Sequence, residues 1–221
     1  MEGESAGLTG KLVTIEGVEG AGKSTQARRL AAWLEEAGRP VVLTSEPDGT
    51  PLGQAVRRLL GTLAPLDPVT EALLFAASRA EHVRRVIAPA LAAGSIVVCD
   101  RFGDSTVAYQ GYGRGVPLDI VHRLNDLATA GRVPDLTVVL DLDGAEGLRR
   151  VGRRRGLGAP GTDPFEGLAL EFHERVRKGY WAIRARDPDR VVLVDASRDE
   201  AAIAAEVRML VARRLGLEVR R

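Results

Sequence analysis

Residues 17–24 read Gly17-Val18-Glu19-Gly20-Ala21-Gly22-Lys23-Ser24, with Thr25 next, and few folds have a place for such a segment. It fits the GxxxxGK[ST] phosphate loop, and it stands in the context that loop needs. An apolar, β-branched run (Leu12 to Glu16) leads in, and a helical pattern leads out. The glycines let the backbone fold around an anion with its N–H groups pointing inward. The helix that follows adds the positive end of its dipole. Lys23 can reach the β- and γ-phosphates of a nucleoside triphosphate, and the Ser24 hydroxyl can bind Mg²⁺. The bland alternative is a glycine-rich turn that caps a helix. It leaves the lysine and the hydroxyl at their offsets unexplained. The loop alone does not separate a kinase from an ATPase or a GTPase. A GTPase carries a base-reading NKxD segment, and none occurs here.

The rest of the chain repeats the strand-then-helix alternation. Short runs rich in β-branched residues lie at Leu12 to Glu16, Val41 to Thr44, Ile96 to Cys99, Thr137 to Asp141 and Val191 to Val194. Nearly continuous apolar runs are expected of strands buried on both faces of a parallel sheet. Helical patterns cover Lys23 to Ala37, Leu118 to Ala130, Gly144 to Arg154, Leu168 to Arg186 and Glu200 to Leu215. Pro68 to Ala93 reads as one helix or two, broken or kinked near Pro89. The expected class is α/β, a three-layer P-loop NTPase-type fold with a five-stranded parallel sheet flanked by helices. We expect a single domain over residues 1–221, with a mobile lid loop at 153–165, where Gly, Pro and charge cluster (RRRGLGAPGTD).

Charge and composition narrow the function. There are 31 basic and 30 acidic side chains, and 4% aromatic residues. A nucleic-acid binder working through bulk charge or base stacking would show more of both, so no nucleic-acid partner is expected. Cys99 is the single cysteine, which excludes an intrachain disulfide and a four-cysteine zinc site. The N-terminus lacks signal-peptide character and the apolar runs are too short to span a bilayer. We therefore expect a cytoplasmic protein with no membrane partner.

In an open α/β sheet, ligands bind at the carboxyl ends of the strands. The third strand ends at Asp100-Arg101, so both should lie beside the phosphate loop. From Asp100 to Gly111 the chain reads DRFGDSTVAYQG, which resembles the thymidylate kinase pattern DR(Y/F)xxSxxAYQG. Further similar segments are EGVEGAGKST (16–25), LLFAASRAEH (73–82), PDLTVVLD (134–141) and VDAS (194–197). The resemblance runs in order along essentially the whole chain. It implies transfer of the γ-phosphoryl group of ATP to dTMP, with Mg²⁺, in a homodimer. ATP would be held by Gly17, Val18, Glu19, Gly20, Ala21, Gly22, Lys23, Ser24 and Thr25. Arg101 would hold the dTMP phosphate, as a planar cation suits a bidentate contact. Asp100 would join Ser24 in the metal sphere; its alternative is a salt bridge to a nearby arginine. Glu19 would help to place acceptor and metal.

The resemblance also assigns the base site. Phe75 would stack on thymine, its alternative being plain core packing, and Arg79 would donate to the base carbonyl. Ser105 and Gln110 would reach the base edge. Tyr109 would lie under the sugar and disfavour a ribose 2′-hydroxyl. Gly20 follows Glu19, so the loop has no arginine after its acid. The bacterial type instead supplies that charge from the lid, here Arg153, Arg154 and Arg155. Arg149 and Arg150 read as a solvated helix face. Three segments depart from the family pattern, at four positions: Ser45 and Asp48 in TSEPDGT, Pro164 in DPFE, and Ser78 before Arg79. Two rivals remain on sequence alone, a kinase of the same build for another nucleoside monophosphate and a non-catalytic nucleotide-binding regulator.

Overall fold

A computed structural model describes residues 10–63, 65–156 and 169–217, the side chain of Arg155 aside. Five parallel strands form one sheet in the order β2-β3-β1-β4-β5: β1 Lys11–Gly17, β2 Val41–Ser45, β3 Ile96–Asp100, β4 Leu136–Asp141 and β5 Val191–Asp195. Every expected strand is present, most of them a residue longer at one end. The central strand β1 pairs with β3 on one side and β4 on the other, Ile15 standing opposite both Asp100 and Val138. The ends of β1 and β3 are therefore neighbours, which is why the phosphate loop and Asp100-Arg101 meet.

The sheet is buried on both faces, as its continuous apolar runs require. Val13 and Ile15 of β1 face one layer, which also holds Leu30 and Leu34 of α1 (Lys23–Glu36), Val176 and Tyr180 of α8 (Leu170–Arg186), and Val207 of α9 (Glu200–Leu215). Leu12 faces the other layer with Val97 and Cys99, under Val83, Ile87 and Phe102. Thr14 and Thr137 are fully buried in the sheet, and their hydroxyls satisfy each other at 2.8 Å.

Two helical features depart from the sequence reading. Helix α2 (Pro51–Leu63) was not expected; it buries only Gly53, Val56 and Leu60, so its apolar signal is thin. Its start is nonetheless written in the chain, since Thr50 Oγ1 accepts from Gly53 N at 3.1 Å and Pro51 opens the first turn. The long segment after Asp67 is α3 (Pro68–His82), a π-helical stretch at Val83–Ile87, and α4 (Ala88–Ala92). The irregularity lies one turn before Pro89 because proline lacks an N–H for the carbonyl four residues back, and the helix widens there.

Between β3 and β4 come α5 (Gly103–Thr106), a second π stretch at Val107–Gly113, and α6 (Leu118–Thr129). Helix α7 (Gly144–Gly156) follows β4. Residues 153–156 are its last turn and not loop; the remainder of the expected lid, 157–165, lies outside the described residues. The N-terminal end of α7 rests on the phosphate loop. Gly20 has φ +75°, and a Cβ there would stand 2.3 Å from Gly147 O, so glycine is required on both counts. No helix among the described residues is long and apolar enough to cross a membrane.

Candidate active site

The phosphate loop is held ready by its own backbone and by one carboxylate. Gly22, at φ +94°, turns the chain into α1. Lys23 is buried, and its ammonium donates to Val18 O across the loop at 2.7 Å. Glu19 is buried too. It accepts from Arg101 Nη2 at 2.6 Å and from the Tyr109 hydroxyl at 2.8 Å, and His173 Nδ1 lies 3.3 Å away. Burial by itself would raise the Glu19 carboxyl. Arg101, His173, Lys23 and Tyr109 together outweigh it and hold the group well below the usual carboxylate range.

Arg101 links this loop to a second site. Its backbone is left-handed, with φ +70°, unusual for a residue with a side chain. Hydrogen bonds on both sides hold that conformation: Arg101 N to Ile15 O at 3.0 Å, and Phe102 N to Glu16 Oε1 at 2.7 Å. The guanidinium lies over the Tyr109 ring, 4.7 Å from its centroid, and near Ser105 Oγ. Glu16 also accepts from Ser105 Oγ at 2.6 Å and Tyr180 OH at 2.9 Å. Burial, then the nearby Asp104 charge, push the Glu16 carboxyl up to about 7; Ser105, Arg101 and Tyr180 pull the other way.

Beyond Arg101 opens a cleft between the β2–α2 turn, α2, α3 and the segment after β3. Pro47, Leu60 and Phe75 give it apolar walls, and Arg79, Arg101, Ser105, Tyr109 and Gln110 give it polar ones. Arg79 is 2% exposed and tightly engaged. Its Nε donates to Glu46 at 2.8 Å, its Nη1 to Thr106 and Asn125 at 2.8 Å each, and its Nη2 to Phe102 O at 3.0 Å. His82 in turn braces Glu46 at 3.1 Å and bonds Thr44 Oγ1 at 2.7 Å. A nucleoside-triphosphate loop and a cation-lined cleft thus share one arginine at their border.

The family profile described as Thymidylate kinase matches residues 15–207. The thymidylate kinase of Solidesulfovibrio magneticus is 53% identical over 199 residues, covering 88% of this chain and 95% of that one. That of Caulobacter vibrioides is 47% identical over 210 residues, covering 94% and 99%. The crystal structure of thymidylate kinase from Ehrlichia chaffeensis superposes with a TM-score of 0.74 at 36% identity, covering 91% of this chain and 98% of that one.

This chain belongs to the thymidylate kinase family.

Set against the thymidylate kinase pattern, the structure brings Glu19, Lys23, Arg101 and Tyr109 together at one end of the cleft, with Phe75, Arg79, Ser105 and Gln110 around it. Phe75 does two things: it is half-buried against the core and also lines the cleft. Tyr109 packs beneath Arg101 with its hydroxyl on the loop acid, and the Ser105 hydroxyl goes to Glu16. Arg150 is no solvated bystander. It donates to Glu146 at 2.8 Å and to Ala196 O at 3.0 Å, tying α7 to the turn after β5. Arg149 does pair locally, with Glu146. Arg153 and Arg154 stand exposed on the last turn of α7, and the Arg155 side chain lies outside the described set.

The departing Asp48 pairs with Arg57 Nε at 2.8 Å, and Arg57 lines the cleft. Ser78 is buried, with its hydroxyl 3.4 Å from Pro47 O. Sequence reading missed Arg57 because α2 was unread. It missed Glu46 and His82 although both fall in segments already singled out, since nothing in a linear pattern says they meet.

Asp100 stands where a metal ligand is expected, beside Ser24. Its Oδ2 accepts from the Ser24 hydroxyl, not from an arginine, while its Oδ1 is buried with no hydrogen-bond partner. Among the described residues no group of three or more His, Cys, Asp or Glu side chains could cage a metal. Mg²⁺ commonly takes one or two protein oxygens and completes its shell with phosphate and water, so this pair fits it.

Proposed function

We propose that phosphoryl transfer from ATP to dTMP, the reaction of this family, runs at the border between the phosphate loop and the cleft. The observation that carries this reading is Arg101, which contacts the loop acid Glu19 at 2.6 Å and lines the cleft. The loop N–H groups and Lys23 bind the triphosphate of ATP. Arg101 binds the dTMP phosphate and aims one of its oxygens along the line of the γ-phosphorus. Direct in-line displacement needs no covalent intermediate, so the chain acts by holding two anions together and balancing charge. Glu19 helps by keeping Arg101 and Tyr109 fixed while it stays ionised. Arg153, Arg154 and Arg155 supply positive charge from the lid as the phosphoryl group moves. Ser24 and Asp100 would hold Mg²⁺, which would supply further positive charge against the phosphates.

At the base end Phe75 stacks on thymine, while Arg79 and Gln110 read its edge. We also propose a cytoplasmic homodimer. Supporting the dimer, α2 and α3 expose Leu52, Leu59, Leu63, Val69 and Leu73. The test is ADP release from purified protein with ATP, Mg²⁺ and a panel of dTMP, dUMP, dCMP and dGMP. Fast release with dTMP supports the reading. Equal or greater release with dCMP or dGMP would reassign the acceptor, and none with any would leave a nucleotide-binding regulator.

A further inference from the structure

Glu71 lies in the first turn of α3, 4% exposed, and touches no atom expected to react. Gln110 Nε2 donates to its Oε1 at 2.9 Å. Arg114 grips the same carboxylate, Nε to Oε1 at 3.2 Å and Nη2 to Oε2 at 3.0 Å. A carboxylate paired with an arginine only accepts hydrogen bonds. The end of the Gln110 amide that faces Glu71 must therefore be the NH₂ end. Turning the amide over would set its carbonyl against a charged oxygen. Gln110 is 2% exposed and lines the cleft, so the end directed away from Glu71 is the carbonyl.

Arg79 supplies the opposite polarity. A guanidinium has five N–H groups. One on Nε, two on Nη1 and one on Nη2 are committed to protein acceptors, which leaves one Nη2 N–H for a ligand. Arg79 and Gln110 together thus offer a base one donor and one acceptor. Thymine and uracil carry a C4 carbonyl beside an N3–H, the complement of that pair. Cytosine carries a C4 amino group beside a bare N3 and is mismatched at both.

We propose that Glu71 is a positioning and specificity-determining residue: it fixes the polarity of the Gln110 amide and so selects 4-oxopyrimidine over 4-aminopyrimidine acceptors. The inference rests on the base-reading role given above to Arg79 and Gln110. A merely structural Glu71 would lower stability and leave selectivity alone.

The test is steady-state kinetics with dTMP and dCMP for the wild type, Glu71→Gln, and the exchange pair Glu71→Gln with Gln110→Glu. Wild-type turnover of dTMP comes first, since its absence would sink the kinase reading and not this one. In Glu71→Gln the new amide can accept as well as donate, so Gln110 is free to turn. The kcat/KM for dTMP should then fall roughly 10- to 100-fold, mostly through KM. The preference for dTMP over dCMP should fall by at least about tenfold. The exchange pair restores an acceptor-only group at position 110 beside an amide, and should recover most of that preference. An unchanged preference in a folded Glu71→Gln protein overturns the proposal, as does an exchange pair with no recovery. If Glu71→Gln does not fold, the exchange pair decides alone: preference near wild type supports the role and its loss refutes it.

Discussion

The phosphate loop and the acceptor cleft are built on opposite principles. The loop offers backbone N–H groups placed by glycine geometry, with Lys23 and the Ser24 hydroxyl beside them. Its anatomy is local, compressed into residues 17–24. The cleft is lined by side chains drawn from α2, α3, the β2–α2 turn and the segment after β3, and Arg79, Arg101 and Gln110 among them are each held by another buried side chain. Arg79 alone is fixed by Glu46, Thr106, Asn125 and the Phe102 carbonyl. The loop should therefore fail by loss of a single charge. The cleft should fail by collapse of a network, with stability and specificity moving together.

Lys23→Ala is the sharpest way to test the first half of that contrast. It should leave a folded protein whose kcat falls by about a hundredfold or more, as transition-state charge loses its nearest fixed cation. Stopped-flow or coupled-assay kinetics near wild type would break the contrast at once. The matching blow to the cleft is Glu46→Gln. It leaves Arg79 buried without its counter-charge, which should cost about 3 kcal/mol of stability. That corresponds to a fall in Tm near ~10 °C, together with a raised KM for dTMP. A calorimetric scan that shows no shift would mean the network is not stressed by losing that charge.

A smaller effect tests the hinge between the two regions. The Glu16 carboxyl titrates at about 7 in the folded protein, above the ordinary value of 4.5. The folded state therefore binds this proton more tightly than the unfolded state does. The stability it contributes is fully present below about pH 4.5 and is lost as pH rises through 7. Glu16→Gln should remove that slope, on the order of 1–2 kcal/mol between pH 5.5 and pH 8. The Tm of the variant relative to wild type should rise across that range. Parallel Tm profiles would remove Glu16 as the titrating group.

The smallest predicted effect is at Asp48, where the cleft meets solvent. Asp48 ties Arg57 at 2.8 Å, and both side chains are partly exposed. Ser45→Arg with Asp48→Gly takes one carboxylate away from Arg57 and adds a cation beside the cleft. The kcat/KM for dTMP should rise by about three- to tenfold, an advantage that fades in high salt. No change would make these departures from the family pattern silent.

What the sequence disclosed follows the same division. The phosphate loop, all five strands and most helix limits were readable, because each is set by short-range spacing. Helix α2 escaped because it buries only three of its thirteen positions and exposes polar and apolar residues alike. Asp100 and Arg101 were placed beside the loop by a general rule of parallel sheets, and β1–β3 pairing supplies the reason. The bracing partners were another matter. Glu46 to His82 spans 36 residues and Gln110 to Glu71 spans 39, so no periodicity connects them. Arg101 illustrates the limit well: its identity was legible, but its left-handed backbone depends on Glu16, from a different strand.

The seat of Gly147 on Gly20 has a mechanical meaning. A helix whose backbone abuts another backbone cannot slide closer; it can only pivot where they touch. Gly147 is a fulcrum, and the stretch from there to Arg154 is a lever arm of about 10 Å at 1.5 Å per residue. A tilt of about 10° at the fulcrum would swing the arginine-bearing tip by about 2 Å over that arm, provided the Arg150 contact with Ala196 O follows it. Two residues without side chains thus let the first turn of one helix seat directly on the backbone of the phosphate loop.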